Sequence, residues 1–500
     1  MENLCYKIEG LKIDPKNETT ALEARQIGNR HFAKDTNFLK SLELYNKSLA
    51  YSPIGSTNMS ICYANRSAAF FHAGLFKISL ENIDLALKYG FRMSLNRNWN
   101  SLSYPPNEKY PFMVDGIELA TSEKFGRYLR AKRDFNPGDV ILRDKAILRF
   151  VDPDSKYSRC NYCLKSNLLN LQPCEYCSTA MFCGNECKNL AWKRYHKFEC
   201  GTLYDPFVPS IRATLMVFTL FNDTSKIKDF ILTAQNNPMT IFDFDYKSMR
   251  EEDYFKIIFG MASNKSKLSE KDLLFLETSM KLRMYILLEE TELNQLLNTQ
   301  ELKDLFLETS ILLTLILNAN SHAFYCLARM PNIGTPYKKD KFGKCLLPVL
   351  SLTNHSCEPK VNSAFRNNIA YLFVTRPIKA GEQIFDSYGP SFLNQTKDER
   401  KLLLHSYHFD CTCNACVKNY PVSELLPSKN ISFDIVKKME LDCLDKDSFK
   451  NLMKESMEVF KKYNHHYPTK ELCKLEQDIA AITECEINGF PLEFRMARII

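Results

Sequence analysis

Residues 343–365 read GKCLLPVLSLTNHSCEPKVNSAF, an apolar run that ends abruptly in Asn354-His355-Ser356-Cys357. A little downstream, AYLFVTRPIKAGEQIFDSYGP (370–390) reads as a strand, the turn Lys379-Ala380-Gly381-Glu382, and then Tyr388. The next polar cluster, YHFDCTCNAC (407–416), holds Cys411-x-Cys413-x2-Cys416. Three thiolates need a fourth ligand to close a tetrahedral zinc site, and the isolated Cys357 supplies it if the chain folds back. The plainer alternative is a core cysteine and three free thiols.

Working upstream, residues 160–200 hold seven of the chain's 18 cysteines. They fall as Cys160-x2-Cys163, Cys174-x2-Cys177, Cys183-x3-Cys187 and His196-x3-Cys200. Four pairs make eight ligands, enough for two closed structural zinc sites. In 41 residues with little apolar bulk, metal is expected to take the place of a core.

Further out the pattern changes twice. GIELATSEKFGRYLRAKRDFNPGDVILRDKAILRFV (116–151) alternates apolar and polar residues around Asn136-Pro137-Gly138-Asp139, which reads as short strands and tight turns. It follows SLSYPPNEKYPF (101–112), a linker or irregular entry rich in Ser and Pro. Before that, Ser41-Leu42 and Ser48-Leu49 recur 38 positions later as Ser79-Leu80 and Ala86-Leu87, and Phe38 recurs as Phe76. Gly28, Phe32, Phe38, Tyr45 and Leu49 have roughly the spacing of a tetratricopeptide unit, so residues 20–92 read as two helical hairpins of that kind. A plain helical hairpin with no binding role is equally open. Residues 201–310 show helical periodicity and no polar constellation, and read as scaffold.

Composition excludes several classes. With 66 basic and 59 acidic residues the charge of +7 is too diffuse to argue for nucleic-acid binding. The start MENLCYKIEGLKIDPKNETT has no apolar signal core, and no stretch approaches 18 uncharged apolar residues, so a membrane anchor is not expected. Cytoplasm and nucleus are the expected locations, and dense cysteine in a reducing compartment argues for metal.

The Asn354–Cys357 motif, Tyr388 and the trailing cysteines resemble the SET domain. The 160–200 module resembles a MYND zinc finger, and the whole chain is similar to the SMYD protein-lysine methyltransferases, in particular to the subfamily bearing tetratricopeptide repeats. That resemblance implies an α+β multidomain protein whose β-rich SET fold is split by the finger and a helical insertion. Its parts are tetratricopeptide helices (20–92), the first SET part (115–159), the finger (160–200), the insertion (201–310), the SET core (311–410), a post-SET zinc segment (411–420) and a carboxyl-terminal helical region (421–500). The last is shorter than is usual in the family.

The resemblance also implies site roles. In the finger it pairs Cys160, Cys163, Cys183 and Cys187 on one ion and Cys174, Cys177, His196 and Cys200 on another, so three zinc ions are expected in all. It makes Gly126, Arg127, Tyr128, Asn320, Asn354, His355, Tyr388 and Phe409 contacts to S-adenosylmethionine, with Phe409 stacked on the adenine and Tyr388 the catalytic tyrosine. The implied partners are lysine-bearing proteins, proline-containing peptides at the finger and helical or extended peptides at the repeats, for a monomeric enzyme. Two positions depart from the family pattern. Tyr128 stands where a glycine is usual, which is expected to narrow the cofactor cleft, and Lys360 stands where Asn is common. A cleft closed at Tyr128 is the basis of the alternative reading, a catalytically weak or inactive zinc-built adaptor.

Overall fold

The computed structural model of the chain describes residues 16–33, 38–89, 102–165, 171–202, 207–221, 223–329, 337–366, 368–431 and 446–488. They fall into two compact units that divide near residue 99.

The first unit contains helices α1 (Glu18–Ala33), α2 (Phe38–Tyr51), α3 (Thr57–His72) and α4 (Phe76–Lys88). The 38-residue repeat is the offset between the starts of α2 and α4, so the two hairpins are the repeated element; residues 90–92 lie outside the described residues. Small residues let the helices approach. A Cβ on Gly28 would fall 2.8 Å from the Tyr45 ring, which is itself fully buried against Met59, Cys62 and Ala69. Ser56 caps α3 by accepting from the Met59 amide, and Gly74, at φ 74°, makes the turn into α4.

In the second unit the alternating stretch forms four short strands: β1 (Ile117–Ser122), β2 (Gly126–Ala131), β3 (Val140–Lys145) and β4 (Leu148–Val151). The finger adds a two-residue ladder, β5 (Gln172–Pro173) with β6 (Met181–Phe182), and helix α5 (Asn185–Ala191), which runs into a π-helical turn at Trp192–His196. The insertion is helical: α6 (Val208–Phe218), α7 (Thr224–Asn236), α8 (Glu251–Phe259), α9 (Glu270–Glu290) and α10 (Gln300–Asn320). Helix α10 runs through residues 310 and 311, and its buried apolar positions continue to Leu317.

The later strands then interleave sequence-distant pieces. β7 (His322–Arg329) and β8 (Tyr337–Leu346) join β4 in one sheet, and β10 (Val361–Arg366) and β11 (Ile369–Val374) join β3 in another. β9 (Asn354–His355) pairs in parallel with β12 (Phe385–Asp386). Helix α11 (Lys397–Leu404) leads to the trailing cysteines, and α12 (Lys446–Tyr463) and α13 (Lys470–Asn488) close the unit. Ile487 of α13 is buried with Val140, Ala364, Tyr371 and Phe373 of the β10–β11–β3 sheet.

Beside its metal ligands the finger has a shared core, in which Phe182, Tyr195 and Phe198 are buried in one cluster with Ile211, Leu215 and Phe218 of α6. The Arg212 guanidinium holds both carboxylate oxygens of Glu199 at 2.7–3.1 Å, and both side chains are buried. The few aromatic residues of the finger therefore extend the core of the insertion.

Candidate functional site

The metal ligands come first because they set the walls. Three groups have their ligand atoms within 4.8 Å of one another: Cys160/Cys163/Cys183/Cys187, Cys174/Cys177/His196/Cys200 and Cys357/Cys411/Cys413/Cys416. The interleaved partition of the finger is the one that the resemblance implied. Thiolates about 2.3 Å from a tetrahedral zinc ion stand about 3.8 Å apart, and a sulfur and an imidazole nitrogen about 3.6 Å apart. The sulfur–sulfur separations are 3.6 Å for Cys163–Cys183, 3.5 Å for Cys183–Cys187, 3.7 Å for Cys174–Cys200 and 3.5 Å for Cys357–Cys416. His196 Nε2 lies 3.6 Å from Cys177 Sγ and 3.3 Å from Cys174 Sγ. All three clusters thus have the donor set and the size of a structural zinc site, and zinc fits them.

Cys357 ties the third cluster to the polar motif. The Tyr388 amide donates to His355 Nδ1 (3.0 Å), so the proton of the neutral imidazole sits on Nε2 and points at Cys357 Sγ, 3.2 Å away. Burial keeps His355 neutral, its pKa pushed down to about 4. Its neighbour Asn354 donates to the Phe125 carbonyl (3.3 Å), fastening the motif to the start of β2. The parallel β9–β12 pair supplies this geometry by putting Asn354 opposite Phe385, three residues before Tyr388. Above β9, the fully buried Asp144 accepts from the Val349 and Leu350 amides (2.8 and 2.7 Å) and holds the turn that enters the motif. Burial pushes its carboxyl up to about 7.

Tyr388 is the centre of an aromatic group. Its hydroxyl donates to the Thr353 carbonyl (2.9 Å), and its ring lies 4.9 Å from Tyr407, 5.3 Å from His355 and 6.2 Å from Phe409. His408 is left-handed (φ 57°), a turn that brings both Tyr407 and Phe409 onto Tyr388. Burial, with help from Asp386 and Tyr407, pushes the Tyr388 phenol well above its ordinary pKa, so it stays protonated.

These residues open onto one cleft of about 890 Å³, within the range of cofactor and substrate sites. Gly126, Arg127, Asn320, Asn354, His355, Tyr388 and Phe409 all line it. Tyr128 does not. Along β2 side chains alternate, so Arg127 and the buried Leu129 share one face while Tyr128 takes the other, its ring 6.5 Å from Phe125. The Tyr128 side chain therefore does not project among the residues that line the cleft. Lys360, the other departure, forms an ion pair with Glu382 (2.7 Å) on the cleft wall.

Sequence reasoning missed the contribution of the insertion. Met239, Gly260, Ala262, Asn264 and Lys267 line the cleft, Arg127 donates to the Gly260 carbonyl (3.0 Å) and Asn320 to that of Ala262 (2.7 Å). The available signal was the interruption GMASNKSK (260–267) between helical stretches, a loop of the kind that often carries function. Tyr407 was missed as well, although it stands two residues from Phe409.

Comparison with known proteins agrees with this architecture. The sequence matches the SET domain over residues 126–389, more than half its length, and the chain belongs to the SET domain family. Its curated relatives include protein-lysine N-methyltransferase SMYD4 of Pongo abelii, 23% identical over 538 residues (78% of this chain, 66% of that protein). SMYD4 of Homo sapiens is 24% identical over 544 residues, covering 80% of this chain and 67% of that protein. The SMYD kinship read from the motifs is thus shown, and the chain spans about two thirds of the length of these relatives. Among solved structures, the SET domain of LSMT bound to lysine and AdoHcy matches over 76% of this chain and 85% of that one, at 15% identity and a TM-score of 0.29. A score so low adds nothing to the fold.

Proposed function

We propose that the chain is a protein-lysine N-methyltransferase that uses S-adenosylmethionine. The observation that carries this reading is a protonated, half-buried Tyr388 ringed by His355, Tyr407 and Phe409, opening on the same cleft as Asn354, Asn320 and Arg127. The residues fit the cofactor: the cleft lining combines the amide and guanidinium side chains of Asn320, Asn354 and Arg127 with the aromatic faces of Tyr388, Tyr407 and Phe409. When bound, S-adenosylmethionine supplies an electrophilic methyl on its sulfonium. Everything else falls to the chain. Arg127, Asn320 and Asn354 face the polar ends of the cofactor, and Phe409 offers its ring to the adenine. Tyr388 and Tyr407 wall a narrow passage that desolvates an incoming lysine, whose free pKa of about 10.4 must fall for the amine to be nucleophilic. The Tyr388 hydroxyl, committed as a donor to Thr353, turns its lone pairs toward the reacting groups and orients them.

On the same reading the finger is a MYND module. Its exposed Tyr176 and Trp192, with ring centroids 5.3 Å apart, offer an aromatic platform to proline-containing peptides. The α1–α4 hairpins are tetratricopeptide units for helical or extended peptides, and the protein works in cytoplasm and nucleus. The adaptor reading rested on Tyr128, which stands off the cleft lining. Calorimetry of the zinc-loaded chain with S-adenosylmethionine tests the proposal: saturable one-to-one binding is expected, and no binding would return the adaptor reading.

A further inference from the structure

Arg376, on the cleft wall, is 5% exposed and is gripped from three directions. Its Nη2 donates to the Glu358 main-chain carbonyl (2.9 Å), its Nε lies 3.1 Å from Glu476 Oε2, and its guanidinium lies 3.8 Å from the centre of the Tyr467 ring. Glu476 is held in turn, accepting from the Tyr467 hydroxyl (3.0 Å) and from Thr375 Oγ1 (2.9 Å).

On the far side, Glu358 follows the metal ligand Cys357, and its carboxylate accepts from the Ala415 amide (3.1 Å), one residue before the ligand Cys416. A chain of contacts therefore runs from α13 through Arg376 and Glu358 to both segments that supply the third metal site, at Cys357 and beside Cys416. That loop leads directly from Phe409. None of this was visible in the sequence, where 421–500 read as a separate helical region.

We propose that Glu476 of α13 and Tyr467, in the connection that precedes it, are positioning residues for the cofactor cleft: by holding Arg376 they fix Glu358 and thereby the loop carrying Cys411, Cys413 and Cys416. This rests on the functional reading above as far as the cofactor is concerned, and on the fit of zinc to the third cluster for the rest. Physically, a buried guanidinium with one carboxylate removed seeks another partner, and the nearest is the Glu358 side chain, 3.8 Å away. Drawing Glu358 toward Arg376 weakens its hold on the Ala415 amide and loosens the metal loop. Residues that orient metal ligands in this indirect way typically change metal affinity about 10–100-fold.

The test uses the full-length, zinc-loaded protein and the variants Glu476→Gln and Tyr467→Phe. Release of zinc to a chelator is followed in parallel with hydrogen exchange at the Ala415 amide and with S-adenosylmethionine affinity. For Glu476→Gln one zinc of three is expected to leave about tenfold faster, with faster exchange at Ala415 and several-fold weaker cofactor binding. Tyr467→Phe keeps the ring over Arg376 and loses only the hydroxyl, so its effect should be in the same direction and smaller. Unchanged zinc release and Ala415 exchange in a variant that merely melts at lower temperature would overturn the proposal. If the wild-type chain binds no cofactor, the methyltransferase reading fails, while the zinc and exchange measurements still decide the positioning role.

Discussion

In the finger, eight ligands fall within 41 residues; in the third cluster, Cys357 lies 54 residues before Cys411. The two regions share a donor chemistry and differ in what the metal joins. The finger metals knit one short segment, whose aromatic residues then dock on α6. The third metal joins the SET core at Cys357 to the segment that follows it, and Cys357 touches His355, which in turn accepts from the Tyr388 amide. Metal in the first region maintains a module; metal in the second maintains the site.

The comparison can be broken with a pair of variants. Cys357→Ser should cost one zinc of three by metal analysis and abolish measurable S-adenosylmethionine binding, because His355 and the Phe409 loop lose their common anchor. Cys183→Ser should also cost a zinc while leaving cofactor affinity nearly unaltered. Equal loss of affinity in both variants would erase the distinction.

A smaller effect sharpens what holds the finger. Arg212→Met leaves the buried Glu199 carboxylate without its bidentate partner, and removal of one member of such a pair costs about 3–5 kcal/mol. Denaturant titration should show that loss with all three zinc ions retained. A change below about 1 kcal/mol, the scale of an exposed pair, would mean that metal alone secures the module.

These regions also differ in how legible they are. Ligand spacing is local in the finger and in Cys411–Cys416, so those eleven ligands could be read from the sequence, whereas Cys357 was a conditional fourth ligand and the roles of Asn354, His355 and Tyr388 came from the family resemblance. What escaped depends on register and on long-range packing. Whether Tyr128 or Arg127 faces the cleft follows from the pairing of β2 with β1, in which Gly126 stands opposite Ser122, and no property of the residues themselves decides it. The docking of Tyr195 and Phe198 on α6, and that of Glu476 on Arg376 across 100 residues, join segments distant in the chain whose own patterns carry no sign of the contact. The cleft-lining loop at 260–267 carried a turn signal with no catalytic residue type to single it out.

The smallest effect concerns pH. Asp144 titrates near 7 in the folded chain and near 3.9 when unfolded, so between those values the folded state holds a proton that the unfolded state has released. Its contribution to stability therefore falls as pH rises from about 4 to about 7 and is level above that. Asp144→Asn should flatten this part of the melting-temperature profile between about pH 4 and 7, with Tyr246 and Tyr254, the neighbouring phenols, unchanged in charge over that range. An unaltered slope would show that Asp144 is ionised throughout.

The central claim, that Tyr388 orients a methyl transfer, is tested most directly by Tyr388→Phe in the zinc-loaded full-length chain, assayed for S-adenosylmethionine affinity and for methyl transfer to protein lysine. The ring and its contacts to His355, Tyr407 and Phe409 remain, and only the hydroxyl on the Thr353 carbonyl is lost. The expected result is unchanged affinity with methyl transfer lowered by about 10²-fold or more. Wild-type rates in the variant would contradict the account and return Tyr388 to the core.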